Sequence, residues 1–348
     1  MKKILIVHTG GTIGSTPEND QREVNVAVAK KILFDRFALS ESPYASLADS
    51  LFEDEKFAYE TLSENMTLFK WNKLLSHLSA FDLSSYRGVI ILHGTDTLPY
   101  TASLLSLCLA SASVPVMLVA GDKPPSDESS NANANFAAAV SLIMEGIAPH
   151  VYVPYRNADG SMLLHLGATL MQCAPFSADF YSADKKKTFL LTQENRTAIL
   201  AACAQLSAQR SKKALWPAKE LVGSVLPIYP YVGLDYDRIT ADGYFAAVHA
   251  TYHSGTVCVD SSQKPSCSFL DFAKRLKKKG THLFIAPCIY DGDKYSSTAR
   301  AVEEGEAVPL SMTWEAAYVK LTLAEALGYA GDDLIDFMRE NLVGEIVE

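Results

Sequence analysis

One stretch in the first third of the chain constrains the possible fold more than any other. Four apolar residues, Val89–Leu92, give way abruptly to His-Gly, and a hydroxyl and a carboxylate then follow side by side at Thr95 and Asp96. Pro99 opens a segment with helical character. An unbroken apolar run is typical of a strand buried on both faces of a parallel sheet. The pattern therefore predicts polar side chains at the carboxyl edge of an open α/β sheet, where such folds bind their ligands.

A second stretch of the same kind lies at the start of the chain. Residues 3–8 form a short apolar run that leads into Thr-Gly-Gly-Thr-Ile-Gly at 9–14. Adjacent glycines let the backbone turn sharply and approach a ligand closely. The spacing does not match G-x-G-x-x-G, and no Gly-Lys-Ser/Thr follows, so a nucleotide site is not expected. What remains is either a tight turn without chemistry or a hydroxyl, Thr12, presented by glycines at the end of a strand.

The first half of the chain alternates between strand and helix patterns. After the strand at 3–8, a polar segment at 15–23 predicts a mobile loop that is long enough to act as a lid. Apolar periodicity then predicts, in order, helix 25–37, helix 67–80, strand 88–93, helix 100–113, strand 115–120, helix 134–146 and strand 150–154. This alternation indicates an α/β fold with a doubly wound, mainly parallel sheet.

The second half predicts a smaller α/β unit behind a loosely patterned connection. The strand-like segments are 223–228, 245–252 and 282–286, and the helical segments are 268–279, 313–327 and 332–342. We therefore expect a catalytic N-terminal domain at 1–185, a connection at 186–222 and a C-terminal domain at 223–348.

Composition narrows the possible partners and the cell compartment. A net charge of −9 argues against nucleic acid or an anionic membrane as the main partner. The six cysteines are scattered without a Cys-x-x-Cys pair, as in proteins that keep free thiols in a reducing compartment. No apolar run approaches membrane-spanning length, and the run after Met1-Lys2-Lys3 is too short for a signal peptide. The expected location is the cytoplasm.

With these motifs in place, the chain resembles the bacterial-type L-asparaginases, most closely their cytoplasmic type I branch. Thr-Gly-Gly-Thr-Ile-Gly at 9–14 and His-Gly-Thr-Asp-Thr at 93–97 match the two threonine motifs of that family, each after a strand. Ser-Glu-Asn-Met at 63–66 resembles the Ser-x-Asp-Met with which the family grips its substrate. The resemblance covers essentially the whole chain and is strongest in its first 140 or so residues. It implies a two-domain asparaginase-like α/β fold, no metal or organic cofactor, and a homodimer or homotetramer.

The resemblance also implies the reaction, which is hydrolysis of L-asparagine to aspartate and ammonia. Carried over by motif position, Thr12 is the nucleophile, Thr95 relays a proton or activates water, and Asp96 holds the α-ammonium group of the substrate. The implied substrate-binding residues are Gly11, Ser63 for the α-carboxylate, Glu64 near the ammonium group, Ala120 for the oxyanion, and Thr256 from a neighbouring subunit.

The chain departs from the family at the lysine that usually ties the second threonine to the aspartate. No lysine occurs between Lys123 and Lys185, and a loose alignment on Asp-Gly at 159–160 places His165 at that position. A histidine can act there as a base or as an imidazolium, or it can simply be a buried histidine in an apolar strand. Lys123 is a less favoured substitute, because it would enter from another direction.

Two other classes of function remain open at this stage. The missing lysine, together with a lid segment that lacks the family's tyrosine, suggests a protein that binds an amino acid or hydrolyses a different small amide. The asparaginase-like subunit of a tRNA amidotransferase is not favoured, because it would need an extra N-terminal domain, whereas the first strand begins at residue 3.

Overall fold

The chain forms two compact units in a computed structural model that describes residues 2–18, 21–55, 60–262 and 266–348. The first unit consists of Met1–Trp216 together with Leu342–Gly344. The second consists of Pro217–Asn341 together with Glu345–Glu348.

The first unit is built around one large sheet flanked by helices. Its strands are β1 (Ile4–His8), β2 (Ser15–Glu18), β3 (Gln21–Val24), β4 (Phe52–Glu55), β5 (Gly88–Leu92), β6 (Val116–Val119), β7 (Val151–Arg156), β8 (Met162–Leu166) and β9 (Thr188–Leu190). Its helices are α1 (Val26–Ala38), α2 (Ala48–Leu51), α3 (Leu68–Ser79), α4 (Leu98–Cys108), α5 (Ala132–Met144) and α6 (Arg196–Gln209).

The large sheet has the order β4-β1-β5-β6-β7-β8-β9. Pairing is parallel from β4 to β7 and antiparallel from β7 through β8 to β9. Every residue of β1, β5 and β6 is buried, as expected of strands covered by helices on both faces. His8 pairs with Leu92, so β1 and β5 end side by side at the same edge of the sheet. The predicted α/β fold class is confirmed.

Side-chain caps and proline fix where the helices near that edge begin. Asn25 accepts a hydrogen bond from the amide of Val28 at the start of α1, and Thr67 accepts one from Lys70 at the start of α3. In α4, Pro99 occupies the first turn, where the missing N–H leaves no hydrogen bond unmade. Helix α4 therefore starts directly after the polar residues that follow β5.

The second unit is a smaller parallel sheet of four strands with the order β10-β11-β12-β13. Its strands are β10 (Val225–Ile228), β11 (Ala246–Ala250), β12 (His282–Ala286) and β13 (Val308–Pro309), and its helices are α7 (Phe269–Lys278), α8 (Ser296–Glu303), α9 (Trp314–Leu327) and α10 (Gly331–Arg339). Helix α9 is capped by the Thr313 hydroxyl and ends at Gly328, whose φ of 86° is favourable only for glycine.

An ion pair is buried in the second unit between α9 and the last residues of the chain. The Lys320 ammonium, fully buried, lies 2.7 Å from a carboxylate oxygen of Glu345, which is 1% exposed. The ammonium also donates to the carbonyl oxygens of Met338 and Glu340, at 3.3 and 2.5 Å. These three acceptors match the three protons of an ammonium group.

A short segment close to the carboxyl terminus completes the first unit. The Leu342 carbonyl accepts a hydrogen bond from the amide of Ser211 at 2.7 Å, and the Gly344 carbonyl accepts one from Lys187 Nζ at 2.9 Å. Leu342 and Val343 are fully buried. The first unit is therefore assembled from two distant parts of the sequence.

Several elements differ from the sequence-based expectations. The segment predicted as a lid loop forms the hairpin β2–β3, with residues 19–20 outside the described residues. The predicted connection 186–222 contains β9 and α6, and residues up to Trp216 belong to the first unit. Helix α4 ends at Cys108, five residues earlier than predicted. Among the described residues, no helix has the length and apolar composition needed to cross a membrane.

Candidate active site

Two glycines in contact bring the ends of β1 and β5 together. Gly11 has a φ of 76°, and a Cβ atom placed on it would lie 2.3 Å from both the Cα and the N of Gly94. A side chain at either position is excluded by this approach, since real Cβ atoms do not come so close to backbone. Thr12 and Thr95, each the next residue in its turn, therefore flank one point of contact. The two threonine motifs that the sequence singled out lie together at one edge of the sheet.

The turn that carries Thr12 is fixed by the backbone around Gly11. The Gly11 amide donates to the carbonyl of Thr61 at 2.8 Å, and its carbonyl accepts from the Ser15 hydroxyl at 2.7 Å and from the Gly14 amide at 3.0 Å. Thr12 is the first residue of the resulting 3-10 turn, and it is half-buried. Its hydroxyl is thus attached to a turn that is fixed by hydrogen bonds at the edge of the sheet.

Ser63 and Asp96 are held together by a reciprocal pair of hydrogen bonds. The Ser63 hydroxyl donates to Oδ2 of Asp96 at 3.2 Å and accepts from the Asp96 amide at 3.1 Å. The Thr97 hydroxyl donates in turn to the Ser63 carbonyl at 2.9 Å. Ser63 therefore orients the Asp96 carboxylate, a part that the sequence did not predict for it.

The loop that supplies Ser63 is braced by a lysine on the following helix. The Lys70 ammonium donates to the Thr61 hydroxyl and to the Asn65 carbonyl, each at 2.7 Å. These two bonds tie Thr61, two residues before the 3-10 turn Ser63–Asn65, and the last residue of that turn to α3. Glu64 lies on this turn with its side chain exposed.

Gln172, which the sequence did not single out, contacts the same turn from another direction. Its side-chain amide donates to the backbone carbonyl of Asp96 at 2.7 Å, across 76 residues of sequence. Asp96 is consequently held at its amide and carboxylate by Ser63 and at its carbonyl by Gln172. The only signal in the sequence was position, because Gln172 lies in the region where the resemblance expects a lysine.

The next strand along the sheet is tied to the site by asparagines. Ala120, directly after β6, is buried, and its carbonyl accepts from Nδ2 of Asn135 at 2.9 Å. Oδ1 of Asn135 accepts from the amide of Arg156 at 2.8 Å. Asn131 links Asp122 to the same arginine backbone, accepting from the Asp122 amide at 2.9 Å and donating to the Arg156 carbonyl at 2.8 Å. The carboxyl ends of β6 and β7 are thereby locked to the start of α5.

The structure places His165, the candidate for the position of the family lysine, inside strand β8 and away from the two threonine turns. His165 lies inside β8, in register with Val153 and Thr188, and is fully buried. Strand β8 is three places from β5 in the sheet, or about 14 Å at about 4.8 Å per strand. Its ring nitrogen Nδ1 bonds to the Ser182 hydroxyl at 2.9 Å. Because β8 runs antiparallel to β7, its first residue, Met162, is nearest the edge where Thr12 and Asp96 lie. His165 is three residues further along the strand, away from that edge.

We expect His165→Gln to leave the pH profile of turnover unchanged and to alter the acid sensitivity of folding instead. Burial lowers the pKa of His165 from 6.5 to about 4, so the folded ring stays neutral where an unfolded ring takes up a proton. This histidine therefore destabilises the fold progressively as the pH falls from about 6.5 to about 4, and not above that window. The melting temperature of the parent should therefore fall more steeply than that of the variant as the pH is lowered through that window. A shifted pH optimum of turnover would contradict this placement.

The other sequence candidates occupy varied places. Lys123 is held in its own loop, where its ammonium donates to the Ser129 hydroxyl at 2.6 Å and lies 3.9 Å from Asp127. Thr256 belongs to the second unit, in the turn after β11, with its hydroxyl 3.1 Å from that of Ser254. Among the contacts of the described residues, none joins Lys123 or Thr256 to Asp96.

The charge of Asp96 is not neutralised within the described part of the chain. Its carboxylate is exposed and makes no ion pair there, although the carboxylate accepts from Ser63. The nearby His93 is fully buried, and burial lowers its pKa to about 4, so its ring is neutral near pH 7. A free carboxylate beside two threonine hydroxyls is suited to a small molecule that carries a positive group.

The comparisons with known proteins agree with this geometry. The family described as Asparaginase, N-terminal, matches residues 3–201, which is more than half of the chain. The chain belongs to the asparaginase family. Solved asparaginases share its fold over nearly the whole chain, among them the thermostable L-asparaginase from Thermococcus kodakarensis (20% identity, 99% of each chain, TM-score 0.69) and L-asparaginase I from Vibrio cholerae (22% identity, 100% of this chain and 99% of that one, TM-score 0.68).

Curated relatives of this asparaginase-family chain carry a different name. A glutamyl-tRNA(Gln) amidotransferase subunit of Saccharolobus solfataricus is 27% identical over 355 residues, covering 99% of this chain and 76% of the relative. The protein of the same name from Metallosphaera sedula is 28% identical over 357 residues, with the same coverage. The family is established by the family model that matches residues 3–201, and the reaction within the family is a separate question.

Proposed function

We propose that this protein is an amidohydrolase that cleaves L-asparagine, or a small amide close to it, through a threonine nucleophile. The observation that carries the proposal is the contact between Gly11 and Gly94, which gathers Thr12, Thr95 and Asp96 at one sheet edge. Hydrolysis of an amide through a hydroxyl needs a nucleophile, a second proton-handling group and a fixed charge to orient the substrate. These three residues have the chemistry for those three tasks.

In the proposed reaction, Asp96 binds the α-ammonium group and thereby sets the side-chain amide against Thr12. The Thr12 oxygen attacks the amide carbon while its proton passes, by way of Thr95 or water, to the departing nitrogen. The carbon–nitrogen bond breaks and ammonia leaves, with the acyl group held as an ester on Thr12. Water then attacks the ester, returns the proton to Thr12 and releases aspartate. Backbone groups near Ala120 stabilise the oxyanion of each step.

We also propose a branch of the family, an assembly and a location for the protein. The solved relatives include an L-asparaginase I and a probable cytoplasmic L-asparaginase from Campylobacter jejuni. They support a type I, cytoplasmic enzyme. We propose a homodimer or homotetramer, with Thr256 reaching the site of a neighbouring copy, and no metal or organic cofactor.

Ammonia release from L-asparagine, L-glutamine and small asparagine derivatives tests the proposal. We expect turnover of at least one of them, with L-asparagine preferred. Failure to release ammonia from any of them between about pH 6 and 9, the range in which histidine and amine groups change charge, would refute hydrolysis. If L-aspartate or L-asparagine nevertheless raised the melting temperature, the protein would be a binder on an asparaginase scaffold.

The names of the curated relatives give a second candidate, an amide-donor protein acting with glutamyl-tRNA(Gln). It is favoured by matches over 99% of the chain at 24 to 28% identity. The net charge of −9 argues against direct binding of tRNA by this chain alone. Ammonia release measured with and without glutamyl-tRNA(Gln) separates the two: an asparaginase is indifferent to the tRNA, and an amide donor responds to it.

A further inference from the structure

The contact between Gln172 and Asp96 has a specific geometric origin. The chain leaves β8 at Leu166 and passes along helix α4, packed so closely that a Cβ atom on Gly167 would lie 2.9 Å from the Ser106 hydroxyl oxygen. Ser106 is near the end of α4, and Asp96 lies just before its start. Eight residues of helix span about 12 Å. The five residues that follow Leu166 begin with the 3-10 turn Gly167–Thr169 and are still long enough to cover that distance. Gln172 therefore arrives at the amino end of the helix, against the Asp96 carbonyl.

The segment before Gln172 is held in that path by backbone hydrogen bonds. The Met171 amide donates to the Tyr181 carbonyl, and the Ala183 amide donates to the Thr169 carbonyl, each at 2.9 Å. Cys173 lies close to the same turn, since burial together with the charges of Asp179 and Asp96 raises its pKa to about 12. The backbone thus sets the position of Gln172 independently of its own side-chain bond.

On the proposed function, and resting on it, we propose that Gln172 is a positioning residue that fixes the Asp96 carboxylate for a substrate carrying an ammonium group. Ser63 fixes Asp96 on the side of its amide and carboxylate, and Gln172 fixes its carbonyl. Without Gln172, the turn between β5 and α4 is anchored at one side only. The carboxylate then samples orientations that bind the ammonium group less well.

Two variants and two substrates test this inference. Gln172→Met removes the donor and keeps the length of the side chain, whereas Gln172→Lys keeps a donor. L-asparagine carries the α-ammonium group, and succinamic acid is the same amide without it. Gln193→Met, at an exposed position next to α6, is the matched control. Because Gln172 is itself exposed, both variants should fold, and a thermal melt checks this.

We expect Gln172→Met to lower kcat/KM for L-asparagine by roughly three- to tenfold, the typical effect of one hydrogen bond. The loss should appear in KM more than in kcat, with little change for succinamic acid. Gln172→Lys keeps a donor at this position and should retain more of the parental kcat/KM for L-asparagine than Gln172→Met does. Parental values for Gln172→Met, or equal losses on both substrates, would overturn the inference.

The result remains interpretable if the parent protein does not hydrolyse L-asparagine. Absence of ammonia would reject the proposed function, and stabilisation by L-aspartate would then report on Gln172. In that case we would compare the rise in melting temperature that L-aspartate causes in each variant. A smaller rise for Gln172→Met than for Gln193→Met would support the positioning role, and an equal rise would reject it. A parent that neither turns over L-asparagine nor is stabilised by L-aspartate would overturn both proposals.

Discussion

A Thr12→Ala variant should release ammonia from L-asparagine at under about one hundredth of the parental rate, a loss of more than roughly 3 kcal/mol in transition-state stabilisation. The hydroxyl of Thr12 is the only group of that residue able to form an ester with the substrate. Thr12 sits at the start of a turn whose shape is set by Gly11 and Ser15 rather than by its own side chain. The fold should therefore survive, with a melting temperature close to that of the parent.

Companion variants make this result specific. Thr12→Ser keeps the hydroxyl and should stay within about tenfold of the parent. Thr197→Ala, an exposed threonine on α6, controls for loss of a hydroxyl elsewhere in the same unit and should leave the rate unchanged. A Thr12→Ala protein that kept more than a hundredth of the activity would show that the nucleophile is another group. A trapped ester on Thr95 in mass spectrometry after acid quenching would then identify it.

The second large effect concerns stability. Lys320→Ala should lower the free energy of unfolding of the second unit by about 3–5 kcal/mol, because it leaves the Glu345 carboxylate buried without its partner. The carbonyls of Met338 and Glu340 lose a donor at the same time. The melting temperature should fall on the order of 10 °C. Thermal or chemical denaturation followed by circular dichroism measures the loss.

Two comparisons separate the buried charge from mere loss of a side chain. The double variant Lys320→Met with Glu345→Leu removes both charges and should recover much of the stability, although the two carbonyls lose the hydrogen bonds from the ammonium. Lys277→Ala removes a cation from an exposed pair with Glu306 and should cost less than about 1 kcal/mol. If Lys320→Ala were no more harmful than Lys277→Ala, the pair would not be a determinant of the fold.

The parts of this site that the sequence predicted are those whose signals are local. An apolar strand followed at once by glycine and a hydroxyl marks Thr12 and Thr95, and burial of strands β1 and β5 follows from their composition alone. The close packing of Gly11 on Gly94 then needs only that the two strands be neighbours. The proximity of the two threonine turns was therefore within reach of pattern reasoning.

The parts that the sequence missed depend on chain path rather than on local pattern. His165 was chosen by spacing, but spacing does not reveal that β8 runs antiparallel and places this residue deep in the sheet. Gln172 was overlooked because its contact with Asp96 spans 76 residues and arises only when the segment after β8 follows α4 back to its start. No periodicity or motif marks such a crossing.

The composite make-up of the first unit has a consequence for how the protein is made. Its last pieces, Leu342–Gly344, follow nearly all of the second unit in sequence. While the ribosome is still synthesising the second unit, the Ser211 amide and the Lys187 ammonium lack the carbonyls that they bond in the finished protein. Domains usually fold as they emerge, from the amino terminus onward. Here the unit that begins first is finished only after nearly all of the second unit has been synthesised.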